Sequence, residues 1–169
     1  FASRLIAEAG LSDRVDVLLK DYRDLEGTYD KLVSIEMVEA VGHQFLEDYF
    51  QKCADLLAPH GRAAIQAITV RDDWYDPKQR QIDFIKRYIF PGSFIPSVSA
   101  LSSAAGKTDM RIVHFEDQTP HYAETLRRWR AAFMENWPEI RALGFDAQFR
   151  RLWDFYFCYC EGGFDEAIL

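Results

Sequence analysis

Cysteine is scarce in this chain: three thiols, Cys53, Cys158 and Cys160, in 169 residues. The count is odd, and the one close pair is a C-x-C, a spacing that rarely reaches disulfide geometry. No spacing matches a zinc ligand set, so no metal site is expected. A disulfide scaffold is excluded, and a reducing compartment is the expectation. Positive charge is short as well: 20 Lys and Arg against 27 Asp and Glu leave a net charge of −7, with a pI near 5.1. That argues against a nucleic-acid partner, which needs a basic stripe to neutralise phosphates. A local basic patch can still coexist with an acidic total. No apolar run approaches the length of a membrane span, and the opening residues do not read as a signal peptide. No G-x-G turn follows a strand, so no nucleotide-phosphate fingerprint is claimed. Internal repeats and low-complexity tracts are missing too.

What is present is a globular composition, 49% hydrophobic and 15% aromatic, long enough for one domain with a core. Residues 1–9 place Phe1, Leu5, Ile6 and Ala9 at helical spacing, and Gly10 stops that helix. "RVDVLL" (14–19) reads as a strand. "KLVSI" (31–35) is a continuous apolar run of the kind buried on both faces. Residues 42–61 carry helical periodicity through Phe45, Tyr49, Phe50, Cys53, Leu56 and Leu57, and Pro59 and Gly61 end it. "RAAIQAITV" (62–70) reads as a further buried strand. Short links between these elements predict an open α/β sheet, mostly parallel, with flanking helices.

Residues 71–110 break the rhythm. This stretch is aromatic and interrupted by Pro91 and Pro96, and it is expected to be an insertion forming a lid or pocket wall. "RIVHFED" (111–117) reads as a returning strand. Residues 121–137 form an amphipathic helix with Leu126, Trp129, Arg130, Phe133 and Trp137 near one face. Residues 145–164 form a very aromatic helix that ends at Gly162–Gly163. Both ends of the chain are abrupt, as expected of a fragment.

In open α/β sheets, ligands bind at the carboxyl ends of strands. That rule gathers "KDYRD", "EMVEAVG" and "QAI". Asp21 or Tyr22 suits a ribose or an adenine amine, and a solvated loop carboxylate is the plainer reading. Glu39 has an ordinary role open to it as a carboxylate near a helix start. Gln66 sits in mid-strand, and its amide must find hydrogen-bond partners. Cys160 and Tyr122 read singly as packing, and His121 is ambiguous. Arg127, Arg128 and Arg130, or Lys86 with Arg87, either face lipid phosphates or are solvated helix faces.

Taken together, "DYRDL" (21–25), "VSIEMVEAVG" (33–42), "YF" (49–50), "LLAPHG" (56–61), "KRYIFPG" with "PS" (86–97), "HYAETLRRW" (121–129) and "YFCYCEGGF" (156–164) resemble the cyclopropane-fatty-acyl-phospholipid synthase family. That family includes the mycolic acid cyclopropane synthases and related fatty-acid methyltransferases. The resemblance covers essentially the whole chain. It implies a partial class I methyltransferase sheet, Rossmann-like, with flanking helices and an inserted helical lipid-pocket region. Residues 1–169 would be the C-terminal portion of one methyltransferase domain, with 71–110 as the insertion.

The resemblance also implies a chemistry. S-adenosylmethionine is the methyl donor, and the acceptor is the cis double bond of an unsaturated phospholipid acyl chain at the membrane surface. The product is a cyclopropane fatty acid. A bicarbonate ion removes the proton. Glu39, Tyr122 and the backbone of Ile68 match bicarbonate contacts, and Cys160 matches an active-site cysteine. Asp21, Tyr22 and Arg23 fall where the family contacts the adenosine end of the cofactor. Gln66 stands where the family has a bicarbonate histidine; an amide there can donate to an anion but cannot carry a proton. Methyl- or methylene-branched products fit that exchange, and so does a non-catalytic lipid-binding module. A class I methyltransferase acting on a different small molecule is a further alternative, and the aromatic insertion speaks against it. The family's glycine-rich cofactor turn is expected before residue 1, so residues 1–169 alone are expected to bind the cofactor weakly and to be inactive. A cytoplasmic protein peripheral to the inner face of the membrane is the implied setting, with room for a homodimer.

Overall fold

The computed structural model describes residues 1–76 and 82–169. Seven helices and two strands follow in the order α1 (Ala2–Glu8), β1 (Tyr29–Ile35), α2 (Leu46–Leu56), β2 (Leu57–Gln66), α3 (Phe84–Tyr88), α4 (Val98–Ala105), α5 (Thr119–Glu135), α6 (Trp137–Ala142) and α7 (Ala147–Asp165) among the described residues. β1 and β2 pair in parallel, with Leu32 opposite Ala63, Ser34 opposite Ile65 and Ile35 opposite Gln66. A parallel pair needs a crossover, and α2 supplies it.

α2 forms because Leu46, Tyr49, Phe50, Cys53 and Leu56 recur on one stripe while Glu47 and Asp48 occupy its first turn, where a helix favours negative charge. The stripe packs on β1 and β2 through Leu32 and Ile65. α4 closes the other side with Ala104 and Ala105. Tyr49, only 1% exposed, donates its hydroxyl to Ser34 Oγ at 2.7 Å and so fixes α2 over the carboxyl end of β1. The stretch 71–110 therefore contributes α4 to this first core as well as carrying aromatic residues.

A second core lies between α5 and α7. Ala123 and Leu126 meet Phe157 and Phe164, with Phe133, Trp153, Tyr156 and Cys160 around them. The positions 153, 157, 160 and 164 step by four, three and four, which is one helical stripe. Phe45 and Trp129 sit outside these cores at 41% and 51% exposure; each falls at the flank of its helical stripe.

Four strand expectations are corrected. Residues 14–19 and 111–117 are not strands, and Val17, Leu19, Val113 and Phe115 are exposed. An apolar alternation becomes a strand only where a neighbour takes its backbone hydrogen bonds, and neither segment has one among the described residues. "KLVSI" is not buried on both faces: α2 covers Leu32 and Ser34, whereas Val33 and Ile35 are 68% and 57% exposed. β2 begins five residues earlier than expected and ends at Gln66. No described helix is long and apolar enough to cross a membrane.

Candidate active site

The strands end together at Ile35 and Gln66, and the site grows from that edge. Glu36 N–H still donates to Gln66 O at 2.9 Å, but its φ of 48° turns the chain out of the sheet. A non-glycine residue in that region is uncommon and costs about 1–3 kcal/mol. The turn aims the Glu36 carboxylate across the strand ends. Its Oε1 accepts from Gln66 Nε2 at 3.0 Å and from the Tyr122 hydroxyl at 2.5 Å. Tyr122 comes from the first turns of α5, 86 positions away in sequence.

A 3-10 turn, Val38–Ala40, follows. Val38 is fully buried in the first core and pins the turn. Glu39 next to it is thereby pointed at the segment leaving β2, where its Oε1 accepts the Ile68 N–H at 2.5 Å. Its carbonyl accepts from Phe94 N–H at 2.9 Å, tying the 71–110 stretch to the same turn. The other carboxylate oxygen, Oε2, is buried and unpartnered, which in a buried polar group points to a missing donor. Burial pushes the Glu39 carboxyl up from its ordinary value; the Ile68 N–H opposes this, and the nearby negative Glu36 adds to it.

α7 forms the facing wall. Tyr122 stacks on Phe164 with ring centroids 4.6 Å apart, and Tyr156 meets Phe90 at 6.4 Å. The Tyr156 hydroxyl lies against the Cys160 sulfur one turn on, and burial pushes the Cys160 thiol up to about 11. At neutral pH that thiol is protonated and a poor nucleophile. Burial raises the hydroxyls of Tyr122 and Tyr156 as well, so both remain donors.

Beside the Val38–Ala40 turn lies a groove of about 280 Å³ lined by Asp21, Tyr22, Arg23, Met37, Ala40, Val41 and Phe45. Asp21 caps the turn Tyr22–Asp24 through Arg23 N–H at 2.9 Å. It also holds the Arg23 guanidinium through two contacts of 2.9 and 2.8 Å. Those bonds pull its carboxyl down to about 2, so it is ionised at neutral pH. A carboxylate has lone pairs left after such contacts, and the rest of the groove is apolar and aromatic.

The family model described as mycolic acid cyclopropane synthetase matches residues 1–169. The chain belongs to that family. Among its relatives, tuberculostearic acid methyltransferase UfaA1 of Mycobacterium tuberculosis is 43% identical over 99% of this chain and 40% of its own length. The cyclopropane-fatty-acyl-phospholipid synthase of Escherichia coli K12 is 32% identical over 89% of the chain and 38% of its own length. This chain thus spans about 40% of the length of these curated relatives. The solved structure of mycolic acid cyclopropane synthase CmaA1 complexed with SAH and CTAB superposes with a TM-score of 0.85 at 23% identity, covering 99% of this chain and 61% of that one. The fold is accordingly a partial class I methyltransferase layer.

Within this family member the expected residues divide into two groups. Glu39, Gln66, Ile68 and Tyr122 converge at the strand ends. Cys160 sits in the second core with Ile68 and Tyr122, while Asp21, Tyr22 and Arg23 line the separate groove. Gln66 is exposed, not enclosed in a buried strand, and its amide goes to Glu36. The arginines of α5 are not free for lipid phosphates: Arg127 pairs with Glu124, Glu161 and Asp165, Arg128 with Glu124, and Arg130 with Asp154. Sequence reasoning missed Glu36 and Tyr156 as site residues. A charged residue directly after a strand at the ligand-binding edge was the available signal for Glu36. Tyr156 opens the "YFCYCEGGF" motif, one turn before Cys160, and that position was its available signal. Among the described residues no cluster of three or more His, Cys, Asp or Glu is arranged to hold a metal.

Proposed function

We propose that this chain is part of an enzyme that transfers the methyl group of S-adenosylmethionine to the cis double bond of an unsaturated phospholipid acyl chain. The observation that carries the reading is the convergence of Glu36, Glu39, Gln66, Ile68 and Tyr122 at the strand ends, one turn from the groove and walled by aromatic α7. The groove residues fit the adenosine end of the cofactor: Asp21 offers an ionised acceptor to hydroxyl or amine hydrogens, and Tyr22, Met37, Val41 and Phe45 offer faces to a base. When bound, the cofactor supplies an electrophilic methyl group on a sulfonium.

The chain's own residues then have defined work. An alkene is a weak nucleophile, so it must be aligned and kept from water. Phe90, Tyr156 and Phe164 supply an apolar wall whose π faces favour the positive charge that develops on the acyl chain. Glu36 and Glu39 place negative charge at the same edge. Proton loss completes the reaction. Loss from the transferred methyl group closes a ring when the cation is on the adjacent carbon; after a 1,2-hydride shift to the methyl-bearing carbon the same loss leaves a methylene, the precursor of a methyl branch. Bicarbonate, the base implied by the resemblance, would need Tyr122, Gln66 and Ile68 as donors. Its hydroxyl could donate to the unpartnered Oε2 of Glu39, but Tyr122, Ile68 and one N–H of the Gln66 amide already donate to Glu36 or Glu39, so a single amide N–H is left for its charged oxygens and these residues fit the ion poorly.

Two products share this step, a cyclopropane and a methyl- or methylene-branched chain. The 43% identity with a tuberculostearic acid methyltransferase, against 32% with a cyclopropane synthase, favours the branch. The proposed setting is the cytoplasmic face of the membrane, where such a lipid is presented. The test is mass spectrometry of membrane fatty acids from a host expressing the full-length protein with a labelled methyl donor, wild type beside Glu39→Gln and Gln66→His. Label in a ring supports cyclopropanation and label in a branch supports branching. A shift towards rings in Gln66→His makes residue 66 the product determinant. No labelled acyl chain in any variant removes the lipid reading and favours a binding module.

A further inference from the structure

We propose that Glu36 is the resident anion of this site: its carboxylate holds the Tyr122 hydroxyl and the Gln66 amide and accepts the proton released by the methylated acyl chain. Three observations lead there. Donors from two separate elements, the end of β2 and the start of α5, meet on one oxygen of Glu36. The residue is held at a φ of 48°, a conformation that glycine adopts freely and glutamate does not, so the backbone is bent to deliver this carboxylate. Glu36 is also exposed whereas Glu39 is half-buried. A base that must discard a proton at every turnover needs access to water, and Glu36 has it.

Glu39 has a different part. Its Oε1 is fixed by Ile68 N–H, and its buried Oε2 stands unpartnered. A free anion entering here would be a third negative group beside two carboxylates, with only the second N–H of the Gln66 amide left to receive it. That exclusion is specific to a chain that carries a carboxylate at position 36. In the proton step, a C–H bond of the transferred methyl breaks and its electron pair forms the ring bond to the cationic carbon; where a 1,2-hydride shift has first moved the cation to the methyl-bearing carbon, the same pair forms the methylene double bond instead. The proton goes to a Glu36 oxygen and from there to water, so no further reactant is needed.

The kinetic part of this inference rests on the methyl-transfer reading; the binding part does not. Carbon-13 NMR of labelled bicarbonate, with the full-length wild-type protein and with Glu36→Gly, tests binding directly. Glycine relieves the backbone bend, so the variant is expected to fold, and Glu36→Gln serves as a neutral, shape-conserving control. The expected result is no bicarbonate broadening with wild type or Glu36→Gln and clear saturable broadening with Glu36→Gly. In activity, Glu36→Gly is expected to lose about 100-fold in kcat, the range of a general base, and added formate or bicarbonate restores a tenfold or larger part of it. Wild-type turnover is expected to ignore bicarbonate removal. Equal binding by wild type and Glu36→Gly, binding by neither, or wild-type turnover that stops without bicarbonate each overturns the proposal. S-adenosylmethionine titrated on the same samples separates the two readings, because its loss counts against methyl transfer and leaves the anion result standing.

Discussion

The Tyr49–Ser34 bond gives the sharpest test of how the first core supports the strand ends. Both groups are buried, the hydroxyls meet at 2.7 Å, and Ser34 is two residues before Glu36. Tyr49→Phe removes one hydroxyl and strands the other; a buried polar group left without its partner costs about 1–3 kcal/mol. Here Ser34 is small and at the rim of the core, so about 1–2 kcal/mol is expected from that range. Ser34→Ala strands the Tyr49 hydroxyl instead. Cys53 lies beside it and offers a weak sulfur acceptor, which places the expected loss near 1 kcal/mol, the low end of the same range. The double variant strands nothing. Replacing both partners by apolar groups is close to neutral, so it is expected to lose less than about 1 kcal/mol. The cycle therefore predicts a coupling of about 1–2 kcal/mol, well outside the roughly 0.5 kcal/mol within which independent sites add. Urea unfolding of the full-length protein and the three variants measures it. Losses that simply add would show that the two hydroxyls are not a closed pair and that α2 does not hold the end of β1 in this way.

Further outcomes are expected elsewhere in the molecule. Because burial raises the Glu39 carboxyl, its stability contribution is fully present below the unfolded value and is lost as pH rises through the raised folded one. Glu39→Gln is therefore expected to melt higher than wild type near pH 7.5 and equally near pH 4 in calorimetry, while methyl transfer falls. Leu126→Ala empties the centre of the α5–α7 core, where Leu126 is 1% exposed, and is expected to cost about 2–5 kcal/mol in denaturant unfolding. The Cys160 thiol, pushed up to about 11, is expected to react with iodoacetamide far more slowly than exposed Cys158 at pH 7.5, with a rate that climbs through pH 11; peptide mapping after brief labelling distinguishes the two.

Helical stripes were the most legible part of this molecule. The repeat of Tyr49, Phe50, Cys53 and Leu56, and that of Leu126 and Phe133, appear in the sequence because a helix's buried face is a local property. Strands are not local in that sense. "RVDVLL" and "RIVHFED" have the residues of strands, yet a strand exists only with a partner, and no pattern within the segment reveals whether one is there. The candidate site was half legible for the same reason. The edge rule drew attention to Glu39 and Gln66, and the family motifs to Tyr122 and Cys160. That Glu36 collects Tyr122 from 86 residues away follows from how α5 lies across the strand ends, which no spacing encodes. The arginines of α5 looked available because their partners Glu161, Asp165 and Asp154 lie on another helix.

Two separate hydrophobic clusters meet at the strand ends. Glu36 and Glu39 leave the first, while Tyr122 and Ile68 pack with the second. The reactive arrangement is thus a property of a seam and belongs to neither body alone. Each half can be perfectly folded and the chemistry still be off, if the α5–α7 pair sits an ångström out of register with the sheet. On the proposed reading, activity would report on docking, and a perturbation far from every polar group, in the packing of one helix pair, would silence it as completely as removal of a carboxylate.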